Sequence, residues 1–206
     1  MNFELIDNIF QISLLMLMVF VSFILSIKYN SRKLFILACA YSCFSMGTLF
    51  WILCLVILGY APHIFYVSEI SWLSSYLFFI SLQIVRCTGL RVRFSPLPAF
   101  LALGTALNAF RYHMLGPAYF MSALFSLTLG VFIYLIVYHF MKVKIRKYRI
   151  LDIVFFICVG LQLLVYMSSA YISDYTRFNL YFAIDISFTL FMTALLPLTA
   201  REVVKK

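Results

Sequence analysis

Charged side chains are scarce in this sequence. Acidic and basic residues together make up 11% of its 206 positions, and only seven are Asp or Glu. Soluble globular chains carry about 25% charged and about 45–50% apolar residues, whereas here apolar residues reach 65% and the mean hydropathy is +1.05. That imbalance excludes a soluble enzyme, a disordered tail and a disulfide-built secreted domain. Histidine is rarer still, with three residues, which leaves no cluster for a metal and no facing pair for a haem. Neither Gly-x-Ser-x-Gly nor His-Glu-x-x-His occurs. A Cys–His hydrolase needs its pair at one depth; Cys87 and His139 qualify by depth alone, with no further pattern around them. No enzymatic activity and no cofactor are expected.

Where charge is missing, long apolar runs take its place. A bilayer-spanning helix needs about 20 mostly apolar residues, and seven runs fit, at roughly 9–27, 34–60, 64–85, 94–110, 117–141, 150–172 and 178–200. The runs are continuously apolar and do not alternate, so a membrane barrel is excluded. The expected fold is therefore all-α, a single seven-helix transmembrane domain over residues 1–206 in a multi-pass cell-membrane protein. Lys28, Arg32, Lys33, Arg86, Arg91, Arg93, Lys142, Lys144, Arg146, Lys147, Arg149, Arg201, Lys205 and Lys206 all fall on one side, and only Arg111 and Arg177 on the other. Fourteen against two places the N-terminus outside and the C-terminus inside by the positive-inside rule. The net charge of +9 is then a matter of topology, and no nucleic-acid partner is implied. Glu4 and Asp7 stand where a cleaved signal peptide would be basic, so the first run reads as a retained helix. None of the five cysteines sits in an outer loop, which argues against disulfides. Cys39 and Cys43 share a helix face without a His or acid beside them, so packing is the expected role and no metal is expected.

Two segments echo one another. Phe65-Tyr66-Val67-Ser68-Glu69-Ile70-Ser71-Trp72 in the third run and Tyr181-Phe182-Ala183-Ile184-Asp185-Ile186-Ser187-Phe188 in the seventh share the pattern aromatic-aromatic-x-x-acid-Ile-Ser-aromatic, 116 positions apart. The same offset sets Lys28 on Lys144 and Lys33 on Arg149. Helices 1–3 and 5–7 would then be parallel repeats about an axis along the membrane normal. The fourth run, opening on Pro96 and Pro98 and carrying Ala99, Ala102, Gly104, Ala106 and Ala109, reads as a linker with a small-residue packing face.

An ionisable group in hydrocarbon costs roughly 2.5–3.5 kcal/mol on insertion scales. Glu69 and Asp185 lie roughly 8–10 Å below the outer helix ends at the α-helical rise. Asp152, beside Arg149, reads as a boundary residue within reach of headgroups, and His139 as an interhelical hydrogen bond. Helical spacing aligns Tyr181, Asp185, Thr189 and Thr193 on one face, Glu69, Trp72, Tyr76 and Gln83 on another, and Gln162, Tyr166, Ser169 and Ser173 on a third. Such stripes face a bundle interior, because lipid leaves them unsatisfied. With His63, Asn108, Arg111, His113, Asp174, Arg177 and Asn179 they outline a polar pocket opening outward. The candidate ligand-binding residues are Glu69, Trp72, Tyr76, Asn108, Tyr181, Asp185 and Thr189. The competing expectation for both acids is structural, as partners of Arg111 or Arg177 or of Tyr and Ser hydroxyls. A retinal protein is excluded, because Thr189 stands where its Schiff-base lysine would be and no lysine lies inside a run.

The stretch Glu69-Ile70-Ser71-Trp72-Leu73-Ser74-Ser75-Tyr76-Leu77 resembles the third helix of the seven-helix membrane sensor regions that precede diguanylate cyclase and histidine kinase domains in bacteria. Asp185-Ile186-Ser187-Phe188, followed by Thr193-Ala194-Leu195-Leu196, resembles their seventh helix. The resemblance implies a sensory or receptor module in the plasma membrane. Its ligand would be a small molecule, and its signal would leave through a separate protein or a second copy, since the sequence ends at Lys206 without an output domain. A second resemblance is to the small 3+1+3 carriers related to PQ-loop proteins, which share length, topology and repeat. Those carriers use hinge prolines in their repeat helices, and here helices 1, 2, 3 and 6 have none. This resemblance implies proton coupling through Glu69 and Asp185.

The orientation has a direct check. In Arg177→Cys and His113→Cys variants the new thiol should react with an impermeant reagent applied outside, and in Lys147→Cys only with reagent applied inside. Reversed labelling overturns the orientation.

Overall fold

The computed structural model describes residues 3–60, 66–90, 94–113, 119–169, 171–172 and 174–204. They form seven helices: α1 (Phe3–Lys28), α2 (Arg32–Ile57), α3 (Tyr66–Cys87), α4 (Pro96–His113), α5 (Tyr119–Lys142), α6 (Arg146–Ser169) and α7 (Leu180–Val204). No strand occurs among the described residues. Helices are the natural outcome, since each closes its own backbone hydrogen bonds and leaves no amide to be satisfied by lipid. The serines follow the same rule: Ser45, Ser71, Ser74, Ser81, Ser126 and Ser187 each donate to the carbonyl four residues back at 2.7–2.9 Å. Chain reversals fall where left-handed backbone is needed, at Asn30 (φ 43°) after α1, Gly59 (φ 78°) after α2 and Gly89 (φ 92°) after α3.

Among the described residues, α1, α2, α3, α5, α6 and α7 are long and apolar enough to cross a membrane, as in a multi-pass membrane protein. The fourth helix forms as expected but does not meet the same measure. Its 18 residues reach about 27 Å, short of the roughly 30 Å of hydrocarbon, and they end on Arg111 and His113. Several other helices exceed their expected bounds, and at two of them the added turn matters. α1 begins at Phe3, because Glu4 in its first turn suits the positive end of the helix dipole. α7 continues to Val204, which carries Glu202 into the bundle.

Six helices close a ring in the order α1, α2, α3, α5, α6, α7, with α7 returning to α1 and also touching α2. α4 lies outside the ring against α5 and α6. Its small residues act as expected in part. Ala109 is fully buried, and Ala102 and Ala106 approach Gly130 of α5 so closely that a Cβ there would sit 3.1 Å from the Ala102 carbonyl oxygen and 3.1 Å from the Ala106 Cβ. Gly104 faces open space. Contacts among Lys33, Arg86, Tyr148 and Glu202 place the turns α1–α2 and α5–α6 and the ends of α3 and α7 at one basic end of the ring. At the far end the α6–α7 connection receives the start of α1 through Phe3 N–H to Thr176 O (3.1 Å) and Glu4 N–H to Tyr175 O (3.3 Å).

The α4–α5 approach should be sensitive to volume. Gly130→Val is expected to lower stability by about 1–3 kcal/mol through overpacking, while Gly104→Val stays within about 0.5 kcal/mol. Thermal unfolding of both variants in one detergent measures the difference.

Candidate functional site

Polar side chains gather in two clusters inside the ring. The far-end cluster begins on α1, where Glu4, Asp7 and Gln11 share a face because the helix starts early. Trp51 Nε1 donates to Glu4 Oε1 at 2.8 Å, Thr48 Oγ1 donates to Gln11 Oε1 at 2.8 Å, and Gln11 Nε2 donates to Thr189 Oγ1 at 3.1 Å. The carboxyl groups of Asp7 and Asp185 lie close to each other, with the Gln11 amide beside Asp185. Tyr166 of α6 stands within electrostatic reach of both Glu69 and Asp185, and Tyr76 donates to Gln162 Oε1 at 3.1 Å.

Six of the seven candidate residues therefore border one interior region: Glu69, Trp72 and Tyr76 from α3, and Tyr181, Asp185 and Thr189 from α7. Tyr181 packs edge-on against Tyr175 and Phe182, each at 5.2 Å between centroids. Trp72 lies against Phe44 (6.1 Å) and Trp51 (6.2 Å). Two buried atoms in this region have no hydrogen-bond partner, Glu69 Oε2 and Trp72 Nε1. The seventh candidate, Asn108, does not join them. It is exposed and donates to the Gly104 carbonyl at 2.9 Å, and its helix touches neither α3 nor α7. Of the loop residues assigned to the pocket, His63 and the His113 side chain lie outside the described residues. Arg111, Asp174 and Arg177 are exposed. Asp174 instead closes a turn: the Thr176 hydroxyl and amide donate to its Oδ1 at 2.6 and 2.9 Å, and these donors hold its carboxyl below the usual range. Asn179 donates to the Asp174 carbonyl at 2.8 Å. Sequence reasoning missed Glu4, Asp7, Gln11, Thr48 and Trp51. The signal was present as three polar residues at helical spacing, hidden by placing the start of α1 six residues too late.

Three packed rings separate this cluster from the other. Phe79, Phe132 and Phe155 are each at most 1% exposed and meet at 5.3–6.0 Å between centroids. Tyr76 packs on two of them from the far side.

At the basic end Arg86 of α3 is the hub. Its Nη1 donates to Asp152 Oδ1 and to Gln83 Oε1 (2.7 Å), its Nη2 to Glu202 Oε1 (2.8 Å) and the Tyr148 carbonyl (2.7 Å), and its Nε to Glu202 Oε2 (3.3 Å). Lys33 reaches Glu202 Oε2 at 3.1 Å, His139 Nδ1 meets Asp152 Oδ2 at 2.6 Å, and Gln83 Nε2 donates to Asp152 Oδ1 at 3.2 Å. Five helices are thus linked. His139 makes the interhelical hydrogen bond expected of it, whereas Asp152 is no boundary residue. It is fully buried, because α6 begins at Arg146 rather than near 150 and leaves Asp152 one to two turns inside. Glu202 went unnoticed because it follows the last apolar run.

Among the described residues no three His, Cys, Asp or Glu side chains gather to hold a metal. Comparison with known proteins gives no match to any family model, curated protein or solved structure.

The hub should be strongly non-additive. Arg86→Met alone leaves Asp152 and Glu202 buried without their cation and is expected to cost about 3–5 kcal/mol. Combining Arg86→Met with Asp152→Asn and Glu202→Gln should recover most of that loss. Detergent-solubilised unfolding midpoints give both values; a triple variant less stable than the single one contradicts the network.

Proposed function

We propose that the chain is a membrane receptor module that binds a small cationic or hydroxylated ligand in a polar pocket at its far end, which faces outward in the expected orientation. The observation that supports this reading is the pair of orphaned buried atoms, Glu69 Oε2 and Trp72 Nε1. A buried polar atom without a partner costs roughly 1–3 kcal/mol. A ligand that donates to the carboxylate and accepts from the indole removes that cost at both atoms. Four carboxyl groups, from Glu4, Asp7, Glu69 and Asp185, stand among Trp51, Trp72, Tyr166 and Tyr181, and such surroundings favour a cation through charge and ring faces together.

A ligand held between α3 and α7 is coupled to the basic end by the same two helices, which meet there through Arg86 and Glu202. Its occupancy reaches a separate signalling protein or a second copy through that contact. The internal repeat gains support from the ring order, since three steps around it carry α1, α2 and α3 onto α5, α6 and α7. Arg86 and Glu202 are also 116 positions apart, the offset of Glu69 and Asp185, and equivalent residues that touch belong on a two-fold axis.

The second reading is a 3+1+3 carrier coupled to protons. The neighbouring carboxyl groups of Asp7 and Asp185, on two different helices, and the polar clusters on both sides of the three-ring layer favour it.

One experiment separates the readings. Asp185→Asn and Glu69→Gln variants in liposomes are assayed against a panel of small organic cations and polyols, by thermal stabilisation for binding and by pH-gradient-driven uptake for flux. A receptor shows about 10- to 100-fold weaker binding in both variants and no flux in the parent. A carrier shows flux in the parent that Asp185→Asn abolishes while binding persists. Variants that bind and signal like the parent leave both acids structural.

A further inference from the structure

A cleft of about 260 Å³ opens between α5 and α6 near the basic end, lined by Ile136, Val137, Phe140, Asp152, Ile153 and Phe156. Its walls are apolar, and Ile153 and Phe156 carry them out to the bundle surface, each 47% exposed. The one acid in the lining is engaged, since Asp152 faces Arg86, Gln83 and His139 and presents no free charge to an occupant. Directly below the cleft the α5–α6 turn carries Lys142, Lys144, Arg146, Lys147 and Arg149, with no acid between them.

Arg149 joins the two features. Its guanidinium lies over the ring of Phe140, 4.0 Å from the centroid, so it stands on a wall of the cleft. Its Nε is buried and has no hydrogen-bond partner. A donor of this kind at the mouth of an apolar slot calls for an anion that carries an apolar body. The corresponding turn at α1–α2 differs, because Lys33 there is already paired with Glu202.

We propose that this cleft is a binding site for one anionic phospholipid, with an acyl chain between α5 and α6 and the phosphodiester on Arg149 and the neighbouring bases. Basic pockets between helices at a membrane face hold anionic headgroups in this way. The apolar walls account for the chain and the charge complementarity for the headgroup, so neither a free phosphate nor a zwitterionic lipid satisfies both. Because Asp152 lines the cleft and also binds Arg86, occupancy bears directly on the basic-end network. The site is independent of the receptor reading and stands or falls separately.

The test is native mass spectrometry of the full chain in detergent, titrated with phosphatidylglycerol, with phosphatidylcholine of the same acyl chains, and with glycerol 3-phosphate. The expected result is one phosphatidylglycerol bound about tenfold more tightly than phosphatidylcholine, with no competition from glycerol 3-phosphate. Arg149→Gln should weaken phosphatidylglycerol about fivefold, the share of one basic side chain at an anionic headgroup, and Lys28→Gln, an equal charge change at another turn, should leave it unchanged. Val137→Trp, which fills the cleft without altering charge, should weaken both lipids, and it keeps the test decisive if Arg149→Gln does not fold. Equal binding of the two lipids, equal effects of Arg149→Gln and Lys28→Gln, full competition by glycerol 3-phosphate, or unchanged binding in Val137→Trp overturns the proposal.

Discussion

The guanidinium of Arg86 is buried where water cannot reach it, and the basic end of the ring is organised around that fact. Removing one ion from water costs several kcal/mol even after relaxation, so the fold must satisfy the group completely. It does: all five N–H donors of the guanidinium find acceptors, on Gln83, Tyr148, Asp152 and Glu202. Those acceptors come from α3, α6 and α7, and Lys33 and His139 extend the network to α2 and α5. A displacement of α3, α6 or α7 breaks a buried Arg86 pair, and one of α2 or α5 removes a second partner from Glu202 or Asp152, which ties the five helices together at the basic end.

The far end follows a different rule. Glu4 accepts from the Trp51 indole, the Gln11 amide is bonded to the Thr48 and Thr189 hydroxyls, Glu69 Oε2 has no partner, and no lysine or arginine lies inside that half of the ring. Groups of this kind exchange partners at lower cost than a saturated guanidinium does, because each has fewer bonds to give up and a neutral hydrogen bond is worth about half a charge-assisted one. Between the two ends the layer of Phe79, Phe132 and Phe155 has no polar atom to offer. The ring is therefore tied at one end, adaptable at the other and sealed across its middle.

Much of this was legible in the sequence, and the remainder was hidden for identifiable reasons. Apolar runs marked every helix, because hydrocarbon demands continuous hydrophobicity and turns gather charge. Stripes such as Tyr181-Asp185-Thr189 pointed inward because a polar face has nowhere else to go in lipid. Helix ends were the weak point. Glu4 and Asp7, taken as a preface to α1, belong to its first two turns, and Glu202 lies within the last turn of α7 rather than beyond it. Polar residues at a run's edge read as solvent-exposed when counted by hydropathy alone, yet a polar helix end is buried when neighbours supply partners. Arg86 shows the same limit: basic residues vote on topology in the sequence, but only the packed α6 and α7 show that this one votes from inside. Asn108 failed in the opposite direction. Its helix sits outside the ring, a placement that depends on the close approach of Gly130 to Ala102 and Ala106 and leaves no trace in periodicity.

The two ends are joined by rods of equal length but unequal stiffness. Glu69 and Arg86 on α3 are 17 residues apart, as are Asp185 and Glu202 on α7, a span of about 25 Å at the α-helical rise. α3 has no proline between its two groups, so a change at Glu69 travels along an intact ladder of hydrogen bonds. α7 carries Pro197 inside its span. The missing N–H leaves the Thr193 carbonyl without its usual donor, and the helix bends most easily at that turn. In the receptor reading, a displacement at Asp185 would be divided at Pro197, five residues before Glu202, while one at Glu69 would be carried whole to Arg86. Since Arg86 and Glu202 are held together by two charge-assisted hydrogen bonds, the stiff helix sets the position of the hub and the jointed one follows it.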